Sequence, residues 1–311
     1  MKSDEKRQER EPTGGRRIAA LGSATFLLTF LLLVTSPFGP ALPAGGTAVA
    51  EAAPKYKRIV ALTPFAGNAM AQMGVFPKAL GQTLGGDRRY VSGLRTTPRL
   101  TMSHPRGPNM EELAELNPDL IFTSPQWSAG KEFMESIARK VVVIDPTSIR
   151  GAKNKVRQIA KLIGRKARGE RLLRQMDRSI RRNTQNIRTR PSVMVVLGVG
   201  STPWAFLNDS WGGEIVRMAG GRLRTGGAPG RGFARISNET VIGEDPDVII
   251  AVPHADQDEI TQEMKDNLKA QWAGTRAAEN NRIVFSEDNS LLQAGTDIGQ
   301  TIKRVRNILR N

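Results

Sequence analysis

Two histidines, His104 and His254, are the only imidazoles in a chain of 311 residues that has no cysteine. Neutral imidazole is a good ligand for a transition-metal ion, so these two residues are the first candidates for metal chemistry. The lack of cysteine removes disulfides, thiolate metal sites, a thiol nucleophile and a lipid-bearing N-terminal cysteine. Two histidines far apart in sequence are too few for a hydrolytic zinc site without carboxylate help. No P-loop, HExxH or GxSxG pattern occurs, and GVGSTP (198–203) lacks the third glycine of a dinucleotide fingerprint. The residue types therefore point to binding rather than catalysis, with an exported metal-dependent enzyme as the alternative from another class. Aromatic residues make up 5% of the chain, so each is a candidate wall for an apolar ligand. Arg88, Arg89, Arg106, Arg231 and Arg235 are candidate partners for ligand carboxylates.

These groups need elements to position them, and beyond residue 55 the chain alternates short apolar runs with helical patterns. The runs 58–63, 120–123 and 141–144 in the first half, and 193–197, 248–252 and 283–285 in the second, read as buried parallel strands covered by helices. Two segments repeat each other: MEELAELNPDLIF (110–122) and NETVIGEDPDVII (238–250). Each sets a glutamate, Glu111 or Glu239, seven residues before a Pro-Asp pair, at a constant offset of 128. A short helix, a proline-stopped turn and a buried strand, used twice, predict two similar α/β lobes with mostly parallel sheets. Between the copies, residues 151–190 are basic on one face and apolar on the other. They read as a long connecting helix, with breaks conceivable at Gly164 or Gly169. Expected boundaries are 55–150 for the N-terminal lobe, 151–190 for the connector and 191–311 for the C-terminal lobe.

Residues 1–54 carry a different signal. A charged stretch ending in Arg16 and Arg17 precedes an apolar run at 18–34, then a Pro/Gly/Ala-rich segment with Ala48, Val49 and Ala50 before Glu51. That order is an export signal, either cleaved or kept as a membrane anchor, on the general or the twin-arginine route. It implies a periplasmic or cell-surface location. The formal net charge of +16 suits an anionic partner or a solvated basic surface, and export argues against nucleic acid.

Together these features resemble the solute-binding proteins of iron-siderophore, haem and cobalamin ABC importers, over about residues 55–311. The segments RIVALTP (58–64), PNMEEL (108–113) with NPDLI (117–121), MAGG (218–221), ISNE (236–239), EDPDVI (244–249), Trp272 and NNRIV (280–284) carry the likeness. The resemblance implies two lobes joined by a rigid helix with a ligand cleft between them, and a monomer working with a membrane permease. It implies that Glu111 and Glu239 form salt bridges with permease arginines, with Glu112 as a substitute for Glu111. It further implies an iron complex as transported ligand. In haem-binding relatives a tyrosine or histidine near His104 ligates iron, and the segment around His254 resembles their second-lobe histidine region. One imidazole from each lobe would clamp the two faces of a haem. Trp204, Phe206, Trp211 and Phe233 would form its slot, and Arg231 with Arg88 would pair with its propionates. A ferric siderophore, already chelated, would instead call on Arg88, Arg89, Tyr90, Arg95, Arg99 and Trp127. The glycine-rich stretch 220–232 could cradle an anion. Cobalamin is a third ligand class of the same family.

Overall fold

The computed structural model describes residues 55–81, 90–103, 107–198, 203–252, 261–286 and 289–310. In the N-terminal half, β1 (Ile59–Ala61) leads into α1 (Pro64–Gln72), whose first turn is capped by the Thr63 side chain accepting from the Ala66 amide at 3.3 Å. Then follow β2 (Ala79–Gly81), β3 (Arg99–Leu100), the two-stranded β4 (Met102–Ser103) and β5 (Gly107–Pro108), α2 (Met110–Glu115), β6 (Leu120–Thr123), α3 (Lys131–Ile137) and β7 (Val141–Val143). Strands β3-β2-β1-β6-β7 form one all-parallel sheet.

Two helices come next, α4 (Ile149–Leu162) and α5 (Lys166–Thr184). The stretch expected as one connector thus divides, and the division falls at Gly164, whose φ of +70° lies in the left-handed region that glycine enters without penalty. The two helices run antiparallel, tied by Lys153 to Asp177 and by Arg157 to Glu170 at 3.6 Å. Gly169 permits their close approach, because a Cβ there would lie 2.5 Å from the Ala160 Cβ.

The C-terminal half contains β8 (Ser192–Leu197), β9 (Trp204–Phe206), α6 (Trp211–Met218), β10 (Arg222–Arg224), β11 (Phe233–Arg235), α7 (Asn238–Glu244), β12 (Val248–Val252), α8 (Gln262–Gln271), α9 (Arg276–Glu279), β13 (Ile283–Phe285) and α10 (Ile298–Arg310). Strands β10, β12 and β13 extend β8 in parallel, whereas β9 adds antiparallel at its carboxyl end and β11 pairs antiparallel with β9.

The repeat is visible in hydrogen bonds. Asn117 and Asp245, at matching positions, both turn the chain through positive φ, at 44° and 39°. Each then delivers a proline and an aspartate to the neighbouring strand. Asp119 accepts from the Lys57 and Arg58 amides at 2.9 and 3.0 Å, just before β1. Asp247 accepts from the Ser192 amide and hydroxyl, both at 2.7 Å, at the start of β8. The aspartates therefore lock equivalent strand pairs in register, Ile59 beside Leu120 and Val193 beside Val248. Burial pushes the Asp247 carboxyl up, but the Ser192 hydrogen bonds with Arg276 and Arg222 outweigh it and hold the group below the usual carboxylate range.

Alternate strand residues feed two opposite layers. Ile59, Ala61, Val193 and Val195 face α1, α4, α5, α6 and α10 in one core that runs continuously through both lobes. Val60 and Ile121 face α2 and α3, and Met194 and Ile249 face α7, α8 and α9, in two smaller cores. Strands covered on both sides must be apolar throughout, which is why they read as unbroken runs; each fully buried Val or Ile contributes about 1.5–3 kcal/mol. Direct ties also cross between the lobes: Gln72 Nε2 donates to Thr296 Oγ1 at 2.9 Å, and Glu214 Oε2 accepts from the Ile149 amide at 2.8 Å, at the start of α4. Among the described residues no helix is long and apolar enough to cross a membrane, and the apolar run 18–34 lies outside them.

Candidate functional site

The carboxyl ends of β1, β6 and β7 in the N-terminal lobe, with the segments after β9, before β11 and after β13 in the C-terminal lobe, open onto one cavity of about 700 Å³. Open α/β sheets bind ligands at such ends because the loops there are free to vary while the strands beneath stay fixed. The N-terminal lobe contributes Thr63 and Phe65 after β1, Met102 of β4, Ser124 and Trp127 after β6, and Ile144 with Asp145 after β7. From the C-terminal lobe come Asp209 and Trp211 after β9, Arg231 and Phe233 at the entry to β11, and Leu292 with Gln293 after β13.

Several of these side chains are held by specific contacts. The Trp211 indole N–H donates to the Ser290 carbonyl at 2.9 Å, fixing the ring. Phe233 packs edge-on against Phe206, with centroids 4.7 Å apart and planes at 75°. Asp209 Oδ1 accepts from the Gly232 amide at 2.9 Å and so shapes the turn that presents Arg231 and Phe233. Thr63 Oγ1 donates to the Ile144 carbonyl at 3.2 Å, joining the ends of β1 and β7. Asp145 accepts from the Ser124 hydroxyl at 2.9 Å. Asp145 reaches the open cavity, yet protein encloses it closely on the other sides. This enclosure raises its pKa above the usual aspartate value, against the lowering effects of the Ser124 hydrogen bond and the Lys155 charge. The described lining is an aromatic-walled slot with one guanidinium and two carboxylates, able to hold a largely apolar ligand by a few polar contacts.

The sequence-expected residues divide into three groups. Arg231, Phe233, Trp127 and Trp211 line the cavity. Tyr90, Phe206 and Trp204 do not. Tyr90 is a core residue, 6% exposed, whose hydroxyl donates to the Gly81 carbonyl at 2.6 Å while Arg99 lies over its ring at 4.6 Å. Phe206 is fully buried behind Phe233. Trp204 is 40% exposed, with Arg235 over its ring at 5.4 Å. Exposed Arg95 is also absent from the lining. His104, His254, Arg88, Arg89 and Arg106 lie outside the described residues; Met102, two residues before His104, lines the cavity, and Val252, two before His254, ends β12. Among the described residues, no three His, Asp or Glu side chains gather in a way that could hold a metal ion. Asp145, Ser124, Asp209 and Phe65 were not anticipated. For Asp145 a signal existed, since Asp145-Pro146 directly follows the apolar run of β7 and so stands at a strand's carboxyl end.

Glu111 and Glu239 occupy the same place in their copies, exposed in the first turn of α2 and α7, behind the capping side chains of Asn109 and Ser237. Hydrogen bonds from the Ser237 side chain and from its own backbone hold the Glu239 carboxyl below its usual pKa. Glu111 has no side-chain partner among the described residues. Glu112 is spent within the lobe, accepting from the Thr101 amide and hydroxyl, both at 2.9 Å. Trp272 is fully buried and donates to Asn238 Oδ1 at 3.0 Å, bracing the start of α7.

Comparison with known proteins gives a consistent picture. A family model described as "Periplasmic binding protein" matches residues 86–289. The high-affinity heme uptake system protein IsdE of Staphylococcus aureus (strain MRSA252) is 22% identical over 193 residues, 60% of this chain. The chain spans 66%, just under two thirds, of that relative's length. Among solved structures, an ABC transporter substrate-binding protein from Listeria monocytogenes EGD-e superposes with a TM-score of 0.71 at 18% identity, covering 82% of this chain and 99% of that one. A protein of an ABC-type Fe3+-hydroxamate transport system from Saccharomonospora viridis superposes with a TM-score of 0.67 at 19% identity, covering 82% and 93%. These likenesses establish the two-lobed α/β fold.

Proposed function

The chain belongs to the periplasmic binding protein family, and on that premise we propose that it captures an iron complex, haem first, between its lobes for an ABC importer. The observation that carries this reading is the cavity of about 700 Å³ at the strand ends of both lobes, a volume suited to a cofactor-sized ligand. Phe233, Trp211 and Trp127 wall the macrocycle, and Arg231 pairs with a propionate. His104 from the first lobe and His254 from the second ligate the iron from its two faces. Support for the histidines comes from Met102 on the cavity wall and Val252 at the end of β12. The protein binds and delivers its ligand without chemical turnover. It works outside the cytoplasm, exported through residues 1–54, as a monomer that docks on the permease through Glu111 and Glu239. These two carboxylates set the register of docking.

A second reading, a ferric siderophore, is favoured by Asp145 and Asp209 beside a single arginine in the described lining. That balance suits a ligand with its own hydrogen-bond donors better than a dianion. Titration with hemin separates the two. A saturable Soret shift that weakens in both His104→Ala and His254→Ala is expected. No shift, or a shift unchanged in both variants, would sink bis-histidine ligation. Tight binding of a ferric hydroxamate with quenched tryptophan fluorescence, in place of hemin binding, would establish the second reading.

A further inference from the structure

The positive charge of the molecule is not spread evenly. Helices α4, α5 and α10 together carry 16 Lys and Arg against two acidic residues. Helices α2, α3, α7, α8 and α9, which cover the opposite faces of the sheets, carry ten acidic residues against four basic. The basic excess is densest along the outer side of α5. Arg171, Arg174, Arg178, Arg181 and Arg182 are all exposed and recur at helical spacing, while Leu172, Leu173, Met176 and Ile180 of the same helix are buried. They span about 16 Å at 1.5 Å per residue. None of the five has an acidic partner among the described residues, and neither does exposed Lys303 on α10, the helix packed beside α5 through Gly299 against Ser179. Arg181 and Arg182 stand in the last turn, where a cation favours the helix dipole. But Arg171, Arg174 and Arg178, three and four apart, repel one another along the helix, so the row as a whole is not there to stabilise α5.

We propose that this face binds a linear phosphodiester polyanion outside the membrane. Arginine forks match phosphate oxygens two at a time, and a row of them along one helix presents successive cations to successive phosphates. Two other occupants fit less well. A membrane-surface helix offers an apolar face to the acyl boundary, but the apolar stripe of α5 is already buried in the core. A protein partner would call for apolar anchors, and the exposed large apolar side chains Phe76, Phe133, Val143, Trp204 and Ile242 all lie on other elements. The basic face and the carboxylates of Glu111 and Glu239 belong to opposite layers, so polymer and docking partner can be held together. The inference rests on the extracytoplasmic location proposed above and not on which ligand fills the cavity.

The test is binding of the full chain to poly(glycerol phosphate) across a sodium chloride series. It compares the parent, the variant Arg174→Gln/Arg178→Gln/Arg181→Gln/Arg182→Gln, and a control of equal charge change, Lys57→Gln/Lys78→Gln/Arg139→Gln/Lys140→Gln. All eight positions are exposed, and an unchanged melting temperature verifies folding. Expected is a loss of about tenfold or more in affinity for the arginine variant, with a shallower salt dependence as fewer counterions are released, and less than about twofold for the control. Equal weakening in both variants would reduce the effect to net charge and overturn the proposal. Affinity for the polymer no greater than for glycerol phosphate monomer would also overturn it, as would an arginine-dependent preference for phosphatidylglycerol vesicles over the polymer.

Discussion

The two copies of the helix, turn and strand agree in one set of residues and differ in another. Glu111 and Glu239, Asn117 and Asp245, Asp119 and Asp247 do the same work in both lobes: an exposed carboxylate, a left-handed turn and a strand lock. The difference lies at the carboxyl end of the first strand of each sheet. In the N-terminal lobe β1 pairs with parallel neighbours, β2 and β6. In the C-terminal lobe β8 also takes on antiparallel β9, which with β11 carries Asp209, Arg231 and Phe233 to the cavity rim. What is repeated builds the scaffold and carries the two carboxylates proposed for docking; what is not repeated shapes the cavity.

Three experiments can break that division, beginning with the largest expected effect. Combining Glu111→Ala with Glu239→Ala should reduce uptake in cells by tenfold or more, equivalent to about 1.4 kcal/mol or more, with ligand affinity unchanged. Reduced affinity would move those residues from docking to cargo. Next come the strand locks. Asp247→Ala removes two Ser192 hydrogen bonds and the Arg276 bridge at 2.7 Å, and should lower unfolding stability by about 2–3 kcal/mol. Asp119→Ala removes two amide bonds only and should cost about 1–2 kcal/mol by denaturant midpoint. A loss at one position with none at the other would deny that the copies share one device, and equal or reversed losses would deny that the Ser192 hydroxyl and Arg276 add to it.

The smallest effect is one of pH, and its sign differs between scaffold and cavity. Asp247 has a folded pKa below its unfolded value, so its stabilisation is present above the ordinary aspartate range and is lost as pH falls through the folded pKa. Asp145 has a raised pKa, so its protonated form favours the folded state at low pH, and that contribution is lost as pH rises through the folded value. Asp145→Asn should therefore melt higher than the parent at neutral pH, with the gap closing on acidification. Asp247→Asn should melt lower at neutral pH, with its gap also closing on acidification. Thermal melts from pH 7 downward check both signs.

The scaffold was legible because it rests on composition along the chain. Strands buried on both faces must be apolar throughout, and the Pro-Asp pairs recur with their glutamates at a fixed offset. The connector was legible as amphipathic helix, but a periodic stripe runs unchanged through a reversal, and so the hairpin at Gly164 was visible only as a glycine. The cavity was less legible. Strands of three residues such as β9 and β11 carry no period of their own, so nothing in the sequence told that Phe233 faces the cavity while Phe206 backs it. Tyr90 beside two arginines suggested a ligand contact, yet its hydroxyl is spent on Gly81 and its ring on Arg99. Asp145 went unread because a carboxylate after a strand is common, and only the burial of its carboxyl, which outweighs Ser124 and Lys155, sets it apart.

The claim that the cargo lies between the lobes is tested most directly by titrating three proteins in parallel with hemin and with a ferric hydroxamate: the parent, Arg231→Glu/Phe233→Ser, and Glu111→Ala/Glu239→Ala. The account predicts saturable one-to-one binding of one ligand by the parent and by the docking variant, with at least about tenfold weaker binding by the cavity variant. Binding of neither ligand by the parent, or equal binding by all three proteins, would contradict it.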